Sequence, residues 1–136
     1  MGTGNMGGGC YCGEIRYVIQ GDFQAQCFCH CRSCRIASGA PVVAWGTIHP
    51  DRFKVVRGNL SLRVTPTGVT RGFCGQCGTG ISYSNSARPG EVDITLASLN
   101  PDVTVQPQYH LWVAEKLPWV CLDDGLPQYQ EWRSNA

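Results

Sequence analysis

Cysteine is the residue type through which this chain could do chemistry, and its cysteines are grouped. Cys27-Phe-Cys29-His-Cys31-Arg-Ser-Cys34 places four within eight residues, with Cys10-Tyr-Cys12 upstream and Cys74-Gly-Gln-Cys77 downstream. Eight of the nine cysteines therefore have a neighbour across only one or two residues, a spacing that lets thiolates converge on a single ion. Disulfides suit the pattern poorly. Side chains this close in sequence rarely reach disulfide geometry, whereas a tight turn readily aims two sulfurs at a tetrahedral centre. Gly13, Gly75 and Gly78 are placed for such turns. The expected metal is zinc, two per chain, because an all-sulfur donor set suits it best.

The clusters divide into two sites. A pair with one intervening residue and a pair with two, about sixty residues apart, make a four-cysteine site of Cys10, Cys12, Cys74 and Cys77 if their strands run side by side. Four sulfurs saturate zinc, so that ion is expected to be structural. The central cluster has no distant pair to join, and its natural ligands are Cys29, Cys31 and Cys34. Three thiolates leave a fourth position for water or substrate, the arrangement of a catalytic zinc. Cys27 is the alternative fourth ligand, which would close the site and remove the case for catalysis. Alternate strand residues lie roughly 7 Å apart, so three in a row seldom reach one ion, and Cys27 reads better as a bystander. Cys121 stands alone and reads as a small buried apolar residue.

Strands must position these residues. Ile15, Tyr17 and Ile19 alternate with polar neighbours, and Phe23, Ala25 and Cys27 carry a second alternation into the central cluster. That alternation would put Cys27, Cys29 and Cys31 on one face and Phe28 and His30 on the other. Arg32 to Ser38 lacks alternation and stops at Gly39, which suits a short helix with a glycine cap. Further strands are predicted over 41–48, 53–57, 60–65, 69–73, 81–84, 92–96 and 109–113. In the 92–96 strand, Val92, Ile94 and Leu96 alternate with Asp93 and Thr95. Short strands throughout imply an all-β domain in which zinc supplements a modest core. His49 and the Asp123-Asp124 pair read as turn residues.

At 136 residues the chain suits one domain, taken as 9–136 after a glycine-rich stretch at 1–8 that is expected to be flexible. The net charge of +1 comes from 11 basic and 10 acidic residues that are scattered, so no basic stripe points to nucleic acid. No apolar run of 18 residues is present, so no membrane-spanning helix is expected. The first residues carry neither a basic nor an apolar signal region, and free thiolates need a reducing compartment, so a cytoplasmic location is expected.

Several segments together resemble a known family. They are Gly9-Cys-Tyr-Cys-Gly13 with Ile15-Arg-Tyr17, Cys29-His-Cys-Arg-Ser-Cys34 with Ala37-Ser-Gly-Ala40, and Arg71-Gly-Phe-Cys-Gly-Gln-Cys-Gly-Thr79. The Asp93 to Leu99 strand and His110-Leu-Trp112 through Pro118-Trp119 complete the match. The chain is similar here to the glutathione-dependent formaldehyde-activating enzymes, grouped with the centromere protein V domain. The resemblance implies a β-tent fold of short antiparallel strands and the same division of zinc ligands. It also implies a carbon–sulfur lyase that forms or cleaves S-hydroxymethylglutathione, with glutathione or another small thiol and a small aldehyde as partners.

Glutathione carries two carboxylates, and Arg32, Arg35, Arg71 and Lys116 are candidates to pair with them. His110 falls in a matched segment and is a candidate catalytic proton shuttle, with a hydrogen-bonded core role as the alternative. His30 reads as a structural hydrogen-bonding residue. Trp45, Trp112 and Trp119 could wall a pocket or fill the core. Two other function classes stand beside the lyase: a zinc-stabilised binding or scaffold module, and a redox or zinc sensor that uses the three-thiolate site itself.

Overall fold

In the computed structural model, which describes residues 4–133, the chain forms ten strands and one helix. They are β1 Asn5–Gly9, β2 Arg16–Gln20, β3 Ala25–Cys29, α1 Arg32–Ser38, β4 Val43–Ile48 and β5 Phe53–Arg57. After these come β6 Ser61–Val64, β7 Val69–Phe73, β8 Gly80–Asn85, β9 Val92–Thr95 and β10 Tyr109–Leu111. One sheet has the order β1-β2-β5, and the other, of seven strands, runs β10-β3-β4-β9-β8-β7-β6. The mainly β class matches the period-two pattern. The large sheet is mixed rather than wholly antiparallel, because β10 lies parallel to β3. The irregular segment between Leu99 and Tyr109 gives the chain the long crossover that a parallel pair requires. No helix among the described residues is long and apolar enough to cross a membrane.

The glycine-rich start corrects one expectation. Asn5–Gly9 does not fray but pairs over its whole length with β2, from Asn5 opposite Gln20 to Gly9 opposite Arg16. Glycine is needed there for close approach: a β-carbon on Gly8 would run into the Tyr17 hydroxyl and the Ser98 carbonyl. Among the described residues it is the one strand that alternation does not announce. Residues 1–3 of the same stretch lie outside the described residues.

Strand registry assigns the two faces of the large sheet. Val92 opposite Ile48 and Ile94 opposite Gly46 turn inwards, and they join Tyr17, Ile19, Phe23, Ile81 and Leu96 in a core that draws on both sheets. The alternate residues share the other face: Ala25, Cys27 and Cys29 on β3, Thr47 and Trp45 on β4, Asp93 and Thr95 on β9, and Tyr83 on β8. Arg71 on β7 and Arg63 on β6 extend that row, each directly opposite its neighbour. Tyr109 and Leu111 of β10 close it beside Cys27 and Cys29. A single strand periodicity thus separates an apolar interior from a face that carries sulfur, hydroxyl, carboxylate and guanidinium groups.

Candidate functional site

The first cluster forms where the β1–β2 and β7–β8 connections meet. Cys10, Cys12, Cys74 and Cys77 place their sulfurs within 4.8 Å of one another. The Cys10–Cys12 and Cys12–Cys74 sulfurs are 3.6 and 3.8 Å apart. A tetrahedron of sulfurs about 2.3 Å from a central zinc has edges of about 3.8 Å, whereas a disulfide needs about 2.05 Å. The donor set fits zinc. Backbone amides turn towards the sulfurs: Ile15 N–H donates to Cys10 at 3.2 Å, and Gln76 and Cys77 N–H donate to Cys74 at 3.4 Å. Gly13 and Gly78 close the two knuckles at φ of 83° and 84°, which side-chain-bearing residues rarely adopt.

Deprotonation of this cluster is shared unequally. The Thr79 hydroxyl and backbone hold Cys77 down to about 5. The Glu14 backbone favours the Cys12 thiolate, yet desolvation and the sulfurs of Cys10 and Cys77 push Cys12 up to about 12. Sulfurs this close resist further deprotonation until a cation joins them, so the arrangement suits a bound dication.

The second cluster joins the end of β3 to α1. Cys29, Cys31 and Cys34 bring their sulfurs within 4.8 Å of one another, and Cys27 is not among them. Cys31 has left the strand: it caps the N-terminus of α1 and accepts from Cys34 N–H at 3.4 Å. That bend brings Cys34, one helical turn on, towards Cys29, while Cys27 stays two strand residues back. Hydrogen bonding from Cys29 and Cys34 lowers Cys31 to about 2, and the same contacts with burial push Cys29 far above the ordinary thiol range. Three sulfurs held this close repel one another as thiolates unless a cation joins them, so this trio also fits one. Burial, with Asp93 and Cys34 nearby, pushes Cys27 up to about 12 and keeps it a thiol.

The three sulfurs adjoin a cavity of about 450 Å³. Trp45, Tyr83, Tyr109, Trp112 and Trp132 supply aromatic surface, and Arg71, Arg88 and Arg133 supply positive charge. Arg71 lies 4.9 Å over the Tyr83 ring and Arg133 lies 4.8 Å over Tyr109. A wider trough under α1 shares Cys34, Trp45, Arg71 and Tyr83 with the cavity and adds Arg32 and Arg63. Trp112 reaches the wall through a left-handed backbone, φ 58°, which costs a non-glycine residue on the order of 1 kcal/mol. Its amide is held by the Glu131 carbonyl at 3.0 Å, and its ring meets Trp132 edge-on.

Other candidates from the sequence are placed differently. Lys116 turns its ammonium to the carbonyls of Leu117 and Val120, and Arg35 donates to the His30 carbonyl. Neither lines the cavity, whereas Arg32 borders the trough and its amide is held by Glu115 at 2.7 Å. Trp119 is exposed and walls nothing beside the sulfurs, and Cys121 is exposed rather than buried. His49 is the expected turn residue, accepting from Asp51 N–H at 3.1 Å.

His110 lies on the core side of the sheet, stacked on Phe28, and does not line the cavity. It belongs to a buried chain in which its Nε2 meets Asp124 at 2.8 Å and its Nδ1 meets His30 Nε2 at 2.9 Å. That is the hydrogen-bonded core role, and it corrects the turn-only reading of Asp124. Burial and the neighbouring His110 push His30 down to about 4. Sequence reasoning missed Asp93, Tyr83, Arg88 and Arg133 as cavity residues. The first two were signalled only by alternation with apolar neighbours on their strands.

Fold and clusters together define a mainly β protein with two cysteine centres suited to metal. The family model described as glutathione-dependent formaldehyde-activating enzyme matches residues 5–115, and the chain belongs to that family. All seven clustered sulfurs fall within the matched span. A crystal structure of a Rhodobacter sphaeroides protein is similar in fold, with a TM-score of 0.63 at 24% identity over 91% of this chain and 99% of that chain. No curated protein matches.

Proposed function

We propose that the protein is a zinc-dependent carbon–sulfur lyase acting on thiol–aldehyde adducts, with S-hydroxymethylglutathione as the leading substrate and glutathione and formaldehyde as its products. The observation that carries this reading is the three-sulfur cluster, which Cys27 does not complete and which adjoins a cavity sized for a small organic molecule. Held by Cys29, Cys31 and Cys34, zinc would supply an open position and lower the pKa of a thiol bound there from its free value of ~8.5. The remaining work falls to the chain. Arg71 and Arg63, opposite each other on β7 and β6, offer paired guanidinium groups along the trough to the two carboxylates of glutathione, with Arg32 beyond them. Trp45, Tyr83 and Trp112 keep water from the reacting carbon. The need for reduced thiols places this activity in the cytoplasm.

Glutathione titration of the cobalt-substituted protein, with total metal counted per chain, tests the proposal. Two metals per chain and a change in the visible spectrum on thiol addition are expected. Cys34→Ala should lose one metal and the spectral response, while Cys27→Ser should keep both. Two metals with a spectrum indifferent to small thiols would overturn the lyase reading.

A further inference from the structure

A carbon–sulfur lyase of this kind must also move a proton, and the cysteine cluster does not do so. In the adduct HO–CH2–S–R, breaking the carbon–sulfur bond returns its electron pair to sulfur as thiolate. The hydroxyl oxygen becomes the carbonyl of formaldehyde only if its proton leaves at the same time. The residue that takes this proton must face the cavity and must be free to be either acid or base.

Among the described residues, three carboxylates line the cavity: Glu91, Asp93 and Glu115. Glu91 is closely paired with Arg88, and Glu115 is committed to the Arg32 amide. Asp93 differs. It projects from the middle of β9 onto the same sheet face as Cys27 and Cys29, with a side chain only 16% exposed. Thr47 Oγ1 donates to its Oδ1 at 2.6 Å, which fixes the carboxyl's orientation, while Oδ2 lies 4.0 Å from Arg88, too far for a formed hydrogen bond. One oxygen is anchored and the other is available to a ligand.

We infer that Asp93 is the catalytic residue that accepts the adduct's hydroxyl proton as the carbon–sulfur bond breaks, and that it returns the proton to the carbonyl oxygen when the bond forms. The inference rests on the lyase reading above. Atoms and charge balance: adduct and Asp93 carboxylate become formaldehyde, thiolate and Asp93 carboxylic acid, and the acid then releases its proton to solvent. Burial supports the role by raising the Asp93 pKa above the ordinary carboxylate value, towards the range in which one group both takes and gives a proton. The titratable and charged groups around it are Cys27 on β3, Tyr83 on β8, Tyr109 on β10, Arg88 and Glu91 between β8 and β9, and Arg133 near the C-terminus.

The test compares wild type with Asp93→Asn, an isostere that keeps an acceptor for Thr47. Exchange of labelled formaldehyde with S-hydroxymethylglutathione is followed by NMR at equilibrium, with the uncatalysed rate subtracted, and thiol affinity is read from the cobalt spectrum of the same samples. The expected result is an exchange rate lower by about 100-fold or more, with glutathione affinity and the count of two metals unchanged. Adduct cleavage by wild type should slow as pH falls through the raised Asp93 pKa, and the variant should lose that limb. An unchanged rate in Asp93→Asn would overturn the inference and leave the lyase reading standing. Equal losses of rate and thiol affinity would make Asp93 a structural residue only. A wild-type rate no faster than background would overturn the lyase reading and this inference with it.

Discussion

Asp124 shows how one exposed carboxylate organises buried groups. It accepts from His110 Nε2, and in the tautomer that carries its proton there, His110 Nδ1 accepts from His30 Nε2. His30 Nδ1 is then a bare lone pair, the one buried side-chain polar atom among the described residues without a partner. Protonating it would bury an unpaired N–H, which agrees with a His30 pKa pushed down to about 4. Since His30 stands between two proposed ligands, this chain orients the metal loop from behind. Asp124→Ala should lower the urea midpoint more than Asp123→Ala, and it should shift the imidazole nitrogens of His110 towards the other tautomer in NMR spectra. Equal midpoints and unchanged His110 signals would remove Asp124 from this role. His30's direction was legible from strand alternation. Its partner 80 residues away was not, because no local pattern encodes a parallel strand pairing.

Among the elements, β4 positions the cavity floor because both of its faces are committed. Trp45 and Thr47 face the sulfur side, while Gly46 and Ile48 face the core. Gly46 leaves room for its neighbours: a β-carbon there would lie 2.6 Å from the Phe23 ring and 2.8 Å from Leu96. Both belong to the buried core and have little space to yield. Gly46→Ala should therefore destabilise the protein by ~1–3 kcal/mol, as overpacking does, measured by urea unfolding. A cost near zero would mean that β4 is free to shift. Helix α1 is short for a legible reason. Cys31 caps its start, and Gly39 ends it in the left-handed conformation at φ 66°.

At the scale of the whole molecule, the four-cysteine centre acts as a clasp between sheets. Cys10 and Cys12 belong to the connection within the small sheet, and Cys74 and Cys77 to one within the large sheet. The small sheet also bonds the segment that follows β9, Tyr17 to Ser98 at 2.6 Å and Arg16 to Asn100 at 2.6 Å. Cys74→Ala should lose one metal and destabilise the fold by roughly 3 kcal/mol or more, about 10 °C in Tm for a chain of this size. Cys34→Ala should lose one metal at a smaller cost, because its cluster joins neighbouring segments only. Equal Tm losses, measured by calorimetry with metal counted, would contradict the division into a clasp and a reaction site.

Short-range chemistry was determined by the sequence alone. Cysteine spacing gathered eight sulfurs into three groups, because residues one or two apart are held together by the backbone whatever the fold. Period two likewise specified the strands and placed Asp93 opposite in direction to Val92 and Ile94. Tertiary structure decided everything that depends on which strands are neighbours. It wove the glycine-rich start into a sheet, set Cys27 outside the three-sulfur cluster through the turn at Cys31, and turned His110 towards Asp124. It also gathered Asp93, Tyr83, Arg71 and Arg133 around one cavity. The cavity residues lie ten or more positions apart, and their meeting follows from sheet order and register, which are selected by burial of the shared core rather than by any local signal.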